Sequence, residues 1–156
     1  NLMDLQKQRL LIEQVDKKLA LFKPVENASS PQSGWVYSIR TALKMSLRQL
    51  ANRLKMSAQS VDELEKREAN GSVTIKTLSE VANALDMKLV YGFVPQNVSI
   101  EKMIEDRANK MAREIVLRTS NTMKLEDQEN SNARIEKAIK NKAEEIKNKM
   151  PRYLWD

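Results

Sequence analysis

The stretch "SLRQLANRLKMSAQSVDELEKRE", Ser46 to Glu68, contains two short amphipathic runs placed back to back. Each run opens with a serine, Ser46 or Ser57, and serine is favoured at the N-cap of a helix. Only Lys55 and Met56 separate the first run from the second serine. A break this short does not let two helices lie antiparallel, so we expect them to cross at a steep angle. In this geometry one helix lies against the surface of a binding partner while the other projects into that surface.

The apolar pattern on both sides of this stretch predicts four short helices. Gly71 ends the third run and Thr74 opens the fourth. The positions expected to face the core are Val36, Ile39, Ala42, Leu43, Leu47, Leu50, Ala51, Leu54, Val61, Leu64, Ile75, Leu78, Val81, Ala82 and Leu85. Four helices with a tight turn between the second and the third are typical of a helix-turn-helix domain, although an ordinary helical bundle shows the same pattern.

Composition limits the size of the hydrophobic core and indicates where in the cell the protein is located. The 156 residues are 4% aromatic and 31% charged, with only three glycines and four prolines. This favours one core with helical extensions in a mostly helical chain. No apolar run reaches the roughly 20 residues that span a bilayer, and there is no signal-peptide pattern. We therefore expect a soluble, cytoplasmic protein that does not enter a membrane.

The chain contains neither cysteine nor histidine. This excludes disulfides, thiolate catalysis, Cys-rich zinc sites and Ser-His-Asp catalysis. An enzyme would have to work with carboxylates, lysines or hydroxyls alone, and no Gly-rich phosphate loop or paired-carboxylate spacing supports one. We expect no catalytic residue, no metal and no cofactor. The formal net charge of +6 favours a nucleic acid as partner, although a solvated basic surface accounts for it as well.

Outside the central pattern, the sequence predicts helices, a linker and one strand. We expect an N-terminal amphipathic helix over 1–22, a linker over 23–34, a helix-turn-helix domain over 35–95 and a C-terminal helical extension over 96–156. The stripe of the first helix is Leu11, Val15, Leu19 and Phe22. "MKLVYGFVP", residues 87–95, is rich in β-formers and predicts one short β-strand.

The expected strand and the outer helices need partners. A lone strand needs another strand, which a second copy of the chain could supply. The apolar stripes of the outer helices either pack within the chain or form a homodimer interface, and DNA readers of this type usually act as dimers on two half-sites. Trp155, in the tail "PRYLWD", anchors onto either the core or a partner.

The start of the third predicted helix offers side chains that read bases. Gln59 can bind adenine through two hydrogen bonds, and Glu63 can accept one from cytosine N4. Polar neighbours in this helix are Ser57, Ser60 and Asp62. Basic residues available to phosphates are Arg48, Lys55, Lys66, Arg67 and Lys76.

The stretch "IRTALKMSLRQLANRLKMSAQSVDELEKREANGSVTIKTLSEVANALDMKLV" resembles the lambda-repressor-like (XRE) helix-turn-helix family. The resemblance implies a structural ion pair between Arg40 and Glu65. It implies base contacts from Ala58, Gln59, Ser60 and Glu63, and backbone contacts from Arg48, Ser57, Lys66 and Arg67. Many members have Gln at the start of the second helix, where this chain has Leu47 followed by Arg48.

Five segments narrow the resemblance. They are "GWVYSIRTALKMSLRQLANRL", "REANGSVTIKTL", "LDMKLVYGFVP", "TMKLEDQ" and "PRYLWD". Together they look like mobile mystery protein A, a helix-turn-helix family encoded beside a Fic-domain protein. This implies a sequence-specific DNA-binding transcriptional regulator that autoregulates an operon encoding the Fic-domain protein. The alternative is an antitoxin that binds and inhibits that protein through its C-terminal helices.

Fic proteins are often restrained by a helix carrying Ser or Thr, then Glu four residues later, then Gly or Asn. In this chain Thr122 and Glu126 have that spacing, and Asp127 stands where Gly or Asn is usual. The resemblance therefore implies Thr122, Glu126 and Asp127 as a candidate inhibitory motif. The alternative is that "TMKLEDQ" is a turn or a solvated helix end.

Overall fold

A computed structural model describes residues 1–120 and 128–156 of the chain. Within these ranges its regular structure is helical, and the prediction of an all-α fold is confirmed. The α-helices are α1 (Leu2–Ala20), α2 (Trp35–Ala42), α3 (Leu47–Leu54), α4 (Ala58–Asn70), α5 (Ile75–Ala84), α6 (Ile100–Ser120) and α7 (Gln128–Lys149). Two short 3-10 helices cover Lys23–Val25 and Arg152–Trp155.

The predicted β-strand over 87–95 is wrong. These residues have no regular secondary structure, and no strand occurs in the ranges given above. A strand exists only when its backbone pairs with a second strand, and the part of the chain that the structure describes supplies none. The β-forming side chains alone do not create the ladder.

The described residues form two compact units. The central unit runs from Val25 to Gly92, and the outer unit combines Asn1–Pro24 with Phe93–Asp156. Each unit has its own cluster of buried apolar side chains. The outer unit is therefore discontinuous in sequence, because α1 joins helices that follow the central unit.

The core of the central unit comes from all four of its α-helices. Its buried members are Val36, Leu50, Ala51, Val61, Leu64, Val81 and Leu85. Burying a Val or Leu side chain contributes about 1.5–3 kcal/mol, so this cluster is the main stabilising element of the unit. The predicted positions of Ala42, Leu43 and Ile75 in this core are wrong. Ala42 and Leu43 are exposed, Leu43 by 56%, because they lie at the end of α2, beyond the turn that contacts the core. Ile75 is the first residue of α5 and is 53% exposed, because it precedes the turn of the helix that contacts the core.

Local capping fixes where these helices begin and end, as the sequence predicts. The side chains of Ser46, Ser57 and Thr74 each accept a hydrogen bond from a backbone N–H in the first turn of α3, α4 and α5. At α3 the Gln49 side chain also accepts from the Ser46 N–H, which completes a capping box. Gly71, with φ +83°, ends α4 in the left-handed conformation that glycine adopts without strain.

The outer unit is built on a pair of antiparallel helices. Lys147 of α7 lies near Glu101 of α6, and Glu136 of α7 pairs with Arg113 of α6, so the two helices run in opposite directions. Their interface buries Ile104, Ala108, Ala112, Ile139, Ala143 and Ile146. The alanines allow the two backbones to approach closely.

Helix α1 is fastened to the same pair. The Asp16 carboxylate accepts hydrogen bonds from the backbone N–H groups of Ile100, at 2.8 Å, and Glu101, at 3.2 Å. A carboxylate at a helix N-terminus also interacts favourably with the helix dipole. Ile12 adds apolar contact to the buried cluster. Contacts 84 residues apart in sequence thus attach α1 to α6.

In the C-terminal segment, the buried anchor is Leu154 and not its aromatic neighbour. Leu154 is fully buried in the outer cluster, whereas Trp155 is 55% exposed. Arg107 of α6 donates hydrogen bonds to the carbonyl groups of Leu154 and Asp156. Leu154 is therefore the residue of this segment that is fully buried in the core, and Trp155 remains partly exposed.

Candidate nucleic-acid interface

The turn between α3 and α4 sets the direction of α4. Lys55 adopts the left-handed conformation, with φ 57°, and the Met56 N–H donates to the Ala51 carbonyl at 3.0 Å. Met56 packs against the central core, and Ser57 then caps α4. Three consecutive residues thus end one helix, seat the turn on the core and begin the next helix.

The turn between α2 and α3 has the same construction. Lys44 is also left-handed, with φ 54°, and the Met45 N–H donates to the Arg40 carbonyl at 3.0 Å. Both turns carry the sequence Leu-Lys-Met-Ser, at 43–46 and at 54–57. Only the second was predicted as a tight turn, although the repeated tetrapeptide was the signal that could have identified the first.

Arg40 and Glu65 lie together in the interior, where they tie α2 to α4. Arg40 Nε donates to Glu65 Oε2 at 2.6 Å, and Nη2 donates to Oε1 at 3.0 Å. Only 8% of Arg40 and 5% of Glu65 are exposed. The hydrogen bond to Glu65 raises the pKa of Arg40, and the coulombic attraction of the same carboxylate adds to the rise.

The third nitrogen of Arg40 holds the first of the two turns. Arg40 Nη1 donates to the Met45 carbonyl at 2.9 Å, inside the segment that leads into α3. The guanidinium also lies 5.5 Å from the ring centroid of Tyr37. A single buried side chain therefore connects α2, the turn before α3, and α4.

The side chains at the start of α4 differ in exposure and in hydrogen bonding. Gln59 and Glu63 are exposed, and neither has a hydrogen bond or ion pair within the ranges that the structure covers. Ala58 and Ser60 are half-buried, and Ser60 Oγ lies 2.8 Å from Ser57 Oγ. Of the four residues expected to contact bases, Gln59 and Glu63 are thus the two that are both exposed and unengaged.

Exposed basic side chains lie on α3, in the turn after it and in the second half of α4. Arg48 of α3, Lys55 of the turn and Arg67 of α4 are exposed. Lys66 is also exposed, but its Nζ lies 2.9 Å from Asp62 Oδ2, and that hydrogen bond raises the pKa of Lys66. A phosphate that contacts Lys66 must therefore compete with Asp62.

Two residues have structural roles that were not predicted from the sequence. Arg53 of α3 donates to the Ala84 carbonyl at the end of α5, at 3.0 Å. Glu68 of α4 accepts from the N–H groups of Trp35, at 2.9 Å, and Val36, at 2.8 Å, and so caps α2 where Gly34 offers no side chain. Both contacts join residues more than 30 positions apart, so no local pattern indicates them.

The candidate inhibitory residues Thr122, Glu126 and Asp127 lie outside the described residues. Within the described ranges, no group of three or more acidic side chains is arranged to hold a metal ion. In the same ranges, no helix is both long enough and apolar enough to cross a membrane.

The central unit thus combines two helices, joined by a tight turn, with polar side chains at the exposed start of the second. This arrangement defines a helix-turn-helix domain. Residues 36–91 match the model of a helix-turn-helix family of DNA-binding domains. No curated protein and no solved structure matches the chain.

Proposed function

We propose that this protein is a sequence-specific DNA-binding transcriptional regulator that reads the major groove with α4. The observation that carries the proposal is the pair Gln59 and Glu63, which are exposed and make no hydrogen bond or ion pair with the described residues. They lie at the start of α4, and the ion pair between Arg40 and Glu65 fixes the position of that helix. Because the backbone of α4 is held in place before binding, only the rotamers of these side chains have to be ordered when they contact a base. The match of residues 36–91 to a DNA-binding family supports the same function.

In this proposal the residues divide into two roles. Gln59 and Glu63 contact base edges, with Ala58 and Ser60 completing the surface that faces the groove. Arg48, Ser57, Lys66 and Arg67 contact the sugar-phosphate backbone. Arg40 and Glu65 contact no DNA and hold α2 and α4 in register. The +6 net charge favours the approach to an anionic duplex.

The experiment begins by selecting bound sequences from a pool of random duplexes, because the operator is unknown. Fluorescence anisotropy of the selected duplex against a scrambled one then gives the specificity across a salt series. We expect Gln59→Ala to weaken binding to the selected duplex by about 1–3 kcal/mol and to leave binding to the scrambled duplex unchanged. Gln32→Ala, in an exposed loop of the same unit, is the matched control.

Arg48→Ala tests the phosphate role separately. We expect it to weaken binding to both duplexes alike and to reduce the salt slope by about one. Equal, weak binding of the wild type to selected and scrambled duplexes would contradict the proposal that α4 reads sequence.

The proposal extends to the operon that this protein regulates and to a second protein that the operon encodes. The resemblance to mobile mystery protein A supports autoregulation of an operon that also encodes a Fic-domain protein. The second candidate function is an antitoxin that restrains this protein through the C-terminal helices. The observation that favours it is the outer unit, which has a buried core of its own and takes no part in the helix-turn-helix.

The antitoxin function is tested by co-expression of the Fic-domain protein with the full chain. The full chain is needed because residues 99–156 alone lack α1, whose Asp16 caps α6. If Glu126 inhibits directly, Glu126→Gly releases the toxicity while Gln59→Ala does not. Restraint that survives Glu126→Gly would remove the direct role of this residue.

A further inference from the structure

An open groove of about 430 Å³ lies on the central unit, between α2, α5 and the chain that follows α5. We refer to it as the α2–α5 groove. Its apolar lining includes the buried side chains of Val36, Val81 and Leu85. Two further apolar side chains of the lining remain in contact with water, since Trp35 is 50% and Met87 is 46% exposed. A concave, mostly apolar surface of about 300–1,000 Å³ is typical of sites that bind small molecules.

Two charged side chains line the α2–α5 groove, Glu68 and Lys88. Both carboxylate oxygens of Glu68 already accept hydrogen bonds, one from the backbone N–H of Trp35 at 2.9 Å and one from that of Val36 at 2.8 Å. Lys88 is exposed, and its ammonium group has no hydrogen bond or ion pair among the described residues. The charge that a ligand of this groove would meet unpaired is therefore positive.

The backbone next to Lys88 offers further hydrogen-bond donors. Leu89 and Val90 also line the groove, and their N–H groups make no hydrogen bond to any described residue. A carboxylate accepts hydrogen bonds from an ammonium group and from backbone N–H groups, and such charge-assisted bonds are stronger than neutral ones. An anionic head group therefore suits this end of the groove, whereas a cationic one would be repelled by Lys88.

We propose that the α2–α5 groove binds a small amphiphilic carboxylate of the fatty-acid class, with its alkyl chain on Trp35 and Met87 and its head group at Lys88. The alkyl chain removes the exposed parts of these two apolar side chains from water, which favours binding. The head group pairs with the charge that the chain leaves free. Helix α3 does not line the groove and α4 contributes only Glu68, so the start of α4 stays uncovered when the carboxylate is bound.

Tryptophan fluorescence of the full-length protein tests this site, with sodium decanoate as the probe at concentrations too low for micelles. Trp155→Phe leaves Trp35 as the only tryptophan, and we expect its emission to shift to shorter wavelength and to saturate with decanoate. In Trp35→Phe the remaining tryptophan belongs to the outer unit, so its emission should not change. Decanoate should also raise the midpoint of thermal unfolding that Trp35 reports, because a ligand that binds the folded chain stabilises it.

Reversal of the charge at Lys88 tests the head group, in the Trp155→Phe protein. With Lys88 present, we expect decanoate to bind about tenfold more tightly than decylammonium, and Lys88→Glu should reverse this preference. Lys44→Glu is the matched control, because it changes the net charge equally at an exposed lysine of the same unit that does not line the groove. If circular dichroism shows that Lys88→Glu unfolds, Lys88→Gln decides, with an expected loss of about fivefold in decanoate affinity and none in decanol affinity.

Three results would overturn this assignment. They are a Trp35 emission that does not saturate with decanoate, equal affinities for decanoate and decylammonium, and the same preference in Lys88→Glu as in Lys44→Glu. Emission that changes with protein concentration and not with decanoate would show that a second copy of the chain covers the groove instead. All measurements are made without DNA, so their result does not depend on whether the proposed regulatory function is correct.

Discussion

At the scale of single residues, the interior of the central unit depends on one ion pair. Arg40 and Glu65 satisfy each other through two hydrogen bonds, and Arg40 spends a third on the Met45 carbonyl. A buried pair of this kind contributes little net free energy compared with apolar residues, but the loss of one member leaves an uncompensated charge. The pair therefore specifies how α2 and α4 fit together more than it stabilises the unit.

Single and paired substitutions of Arg40 and Glu65 should therefore differ strongly in their effect on stability. We expect Glu65→Ala to lower the free energy of unfolding by about 3–5 kcal/mol, because it leaves the Arg40 guanidinium buried and unpaired. Arg40→Met combined with Glu65→Leu should cost much less. Denaturant unfolding measures both. The exposed pair provides the control, since Asp62→Ala removes the partner of Lys66 at the surface and should change stability little.

The titration of Arg40 should not be visible at ordinary pH. Its pKa is raised above the usual arginine value, so the charged form is present in both the folded and the unfolded chain at neutral pH. The stability that the raised pKa contributes is complete below the unfolded pKa and is lost only as pH rises through the folded value. This loss falls in the strongly alkaline range.

Some residues could be placed from sequence and others could not. Ser46, Ser57, Thr74 and Gly71 act within their own helix turn, so their local pattern is sufficient. The cap of α2 is different, because Glu68 comes from a distant part of the chain and fills the place that Gly34 leaves open. Such a contact exists only after the helices have packed.

At the scale of elements, the two Leu-Lys-Met-Ser turns offer a matched pair for experiment. Each has a lysine in the left-handed conformation, which costs a residue with a Cβ about 1–2 kcal/mol. Glycine adopts this conformation freely, although it loses more entropy on folding. The turns therefore keep lysine at positions where glycine is the common choice.

We predict that Lys44→Gly and Lys55→Gly change stability alike and DNA affinity differently. Both should leave the free energy of unfolding unchanged or raise it by up to about 1 kcal/mol, because the relieved strain exceeds the added entropy cost. Of these two lysines, only Lys55 is among the basic residues available to phosphates, so only Lys55→Gly should weaken DNA binding. Thermal unfolding and anisotropy test the two statements, and equal losses of affinity would contradict the second.

The N-terminus of α6 provides a second prediction at this scale. We expect Asp16→Ala to lower the stability of the outer unit by about 1–2 kcal/mol, because it removes a charged acceptor from two backbone N–H groups. Asp4→Ala, in the exposed first turn of α1, is the control. Hydrogen exchange should show faster exchange at Ile100 and Glu101 in the first variant alone.

The secondary structure of a segment was harder to predict where it depends on a neighbouring segment. The helices follow from apolar spacing and caps, both of which are written in the local sequence. The segment 87–95 has the side chains of a strand, but whether a strand forms depends on a neighbour that no local pattern supplies. The exposed position of Ile75 shows the same limit, because apolar spacing does not locate the turn at which a helix reaches the core.

At the scale of the whole molecule, two separate cores predict two separable unfolding events. Each unit contains one tryptophan, Trp35 in the central unit and Trp155 in the outer unit. Replacing one tryptophan with phenylalanine leaves a fluorescent reporter for the other unit. We expect Leu64→Ala to lower the stability reported by Trp35 by about 2–5 kcal/mol and to leave the Trp155 transition unchanged.

The converse substitution completes this test. Leu154→Ala should destabilise only the unit that Trp155 reports, because Leu154 is fully buried in the outer cluster. A single transition that moves equally with either substitution would show that the chain unfolds as one cooperative body.

The attachment of α1 to α6 also governs the order in which the protein can mature during synthesis. Translation at about 5–20 residues per second delivers the start of α6 roughly 4–16 s after the end of α1 has been made. All residues of the central unit emerge during that interval. The nascent chain can therefore fold its helix-turn-helix before α6 has been made. During that time the apolar side chains of α1 stay uncovered, because the helix to which Asp16 binds is not yet present.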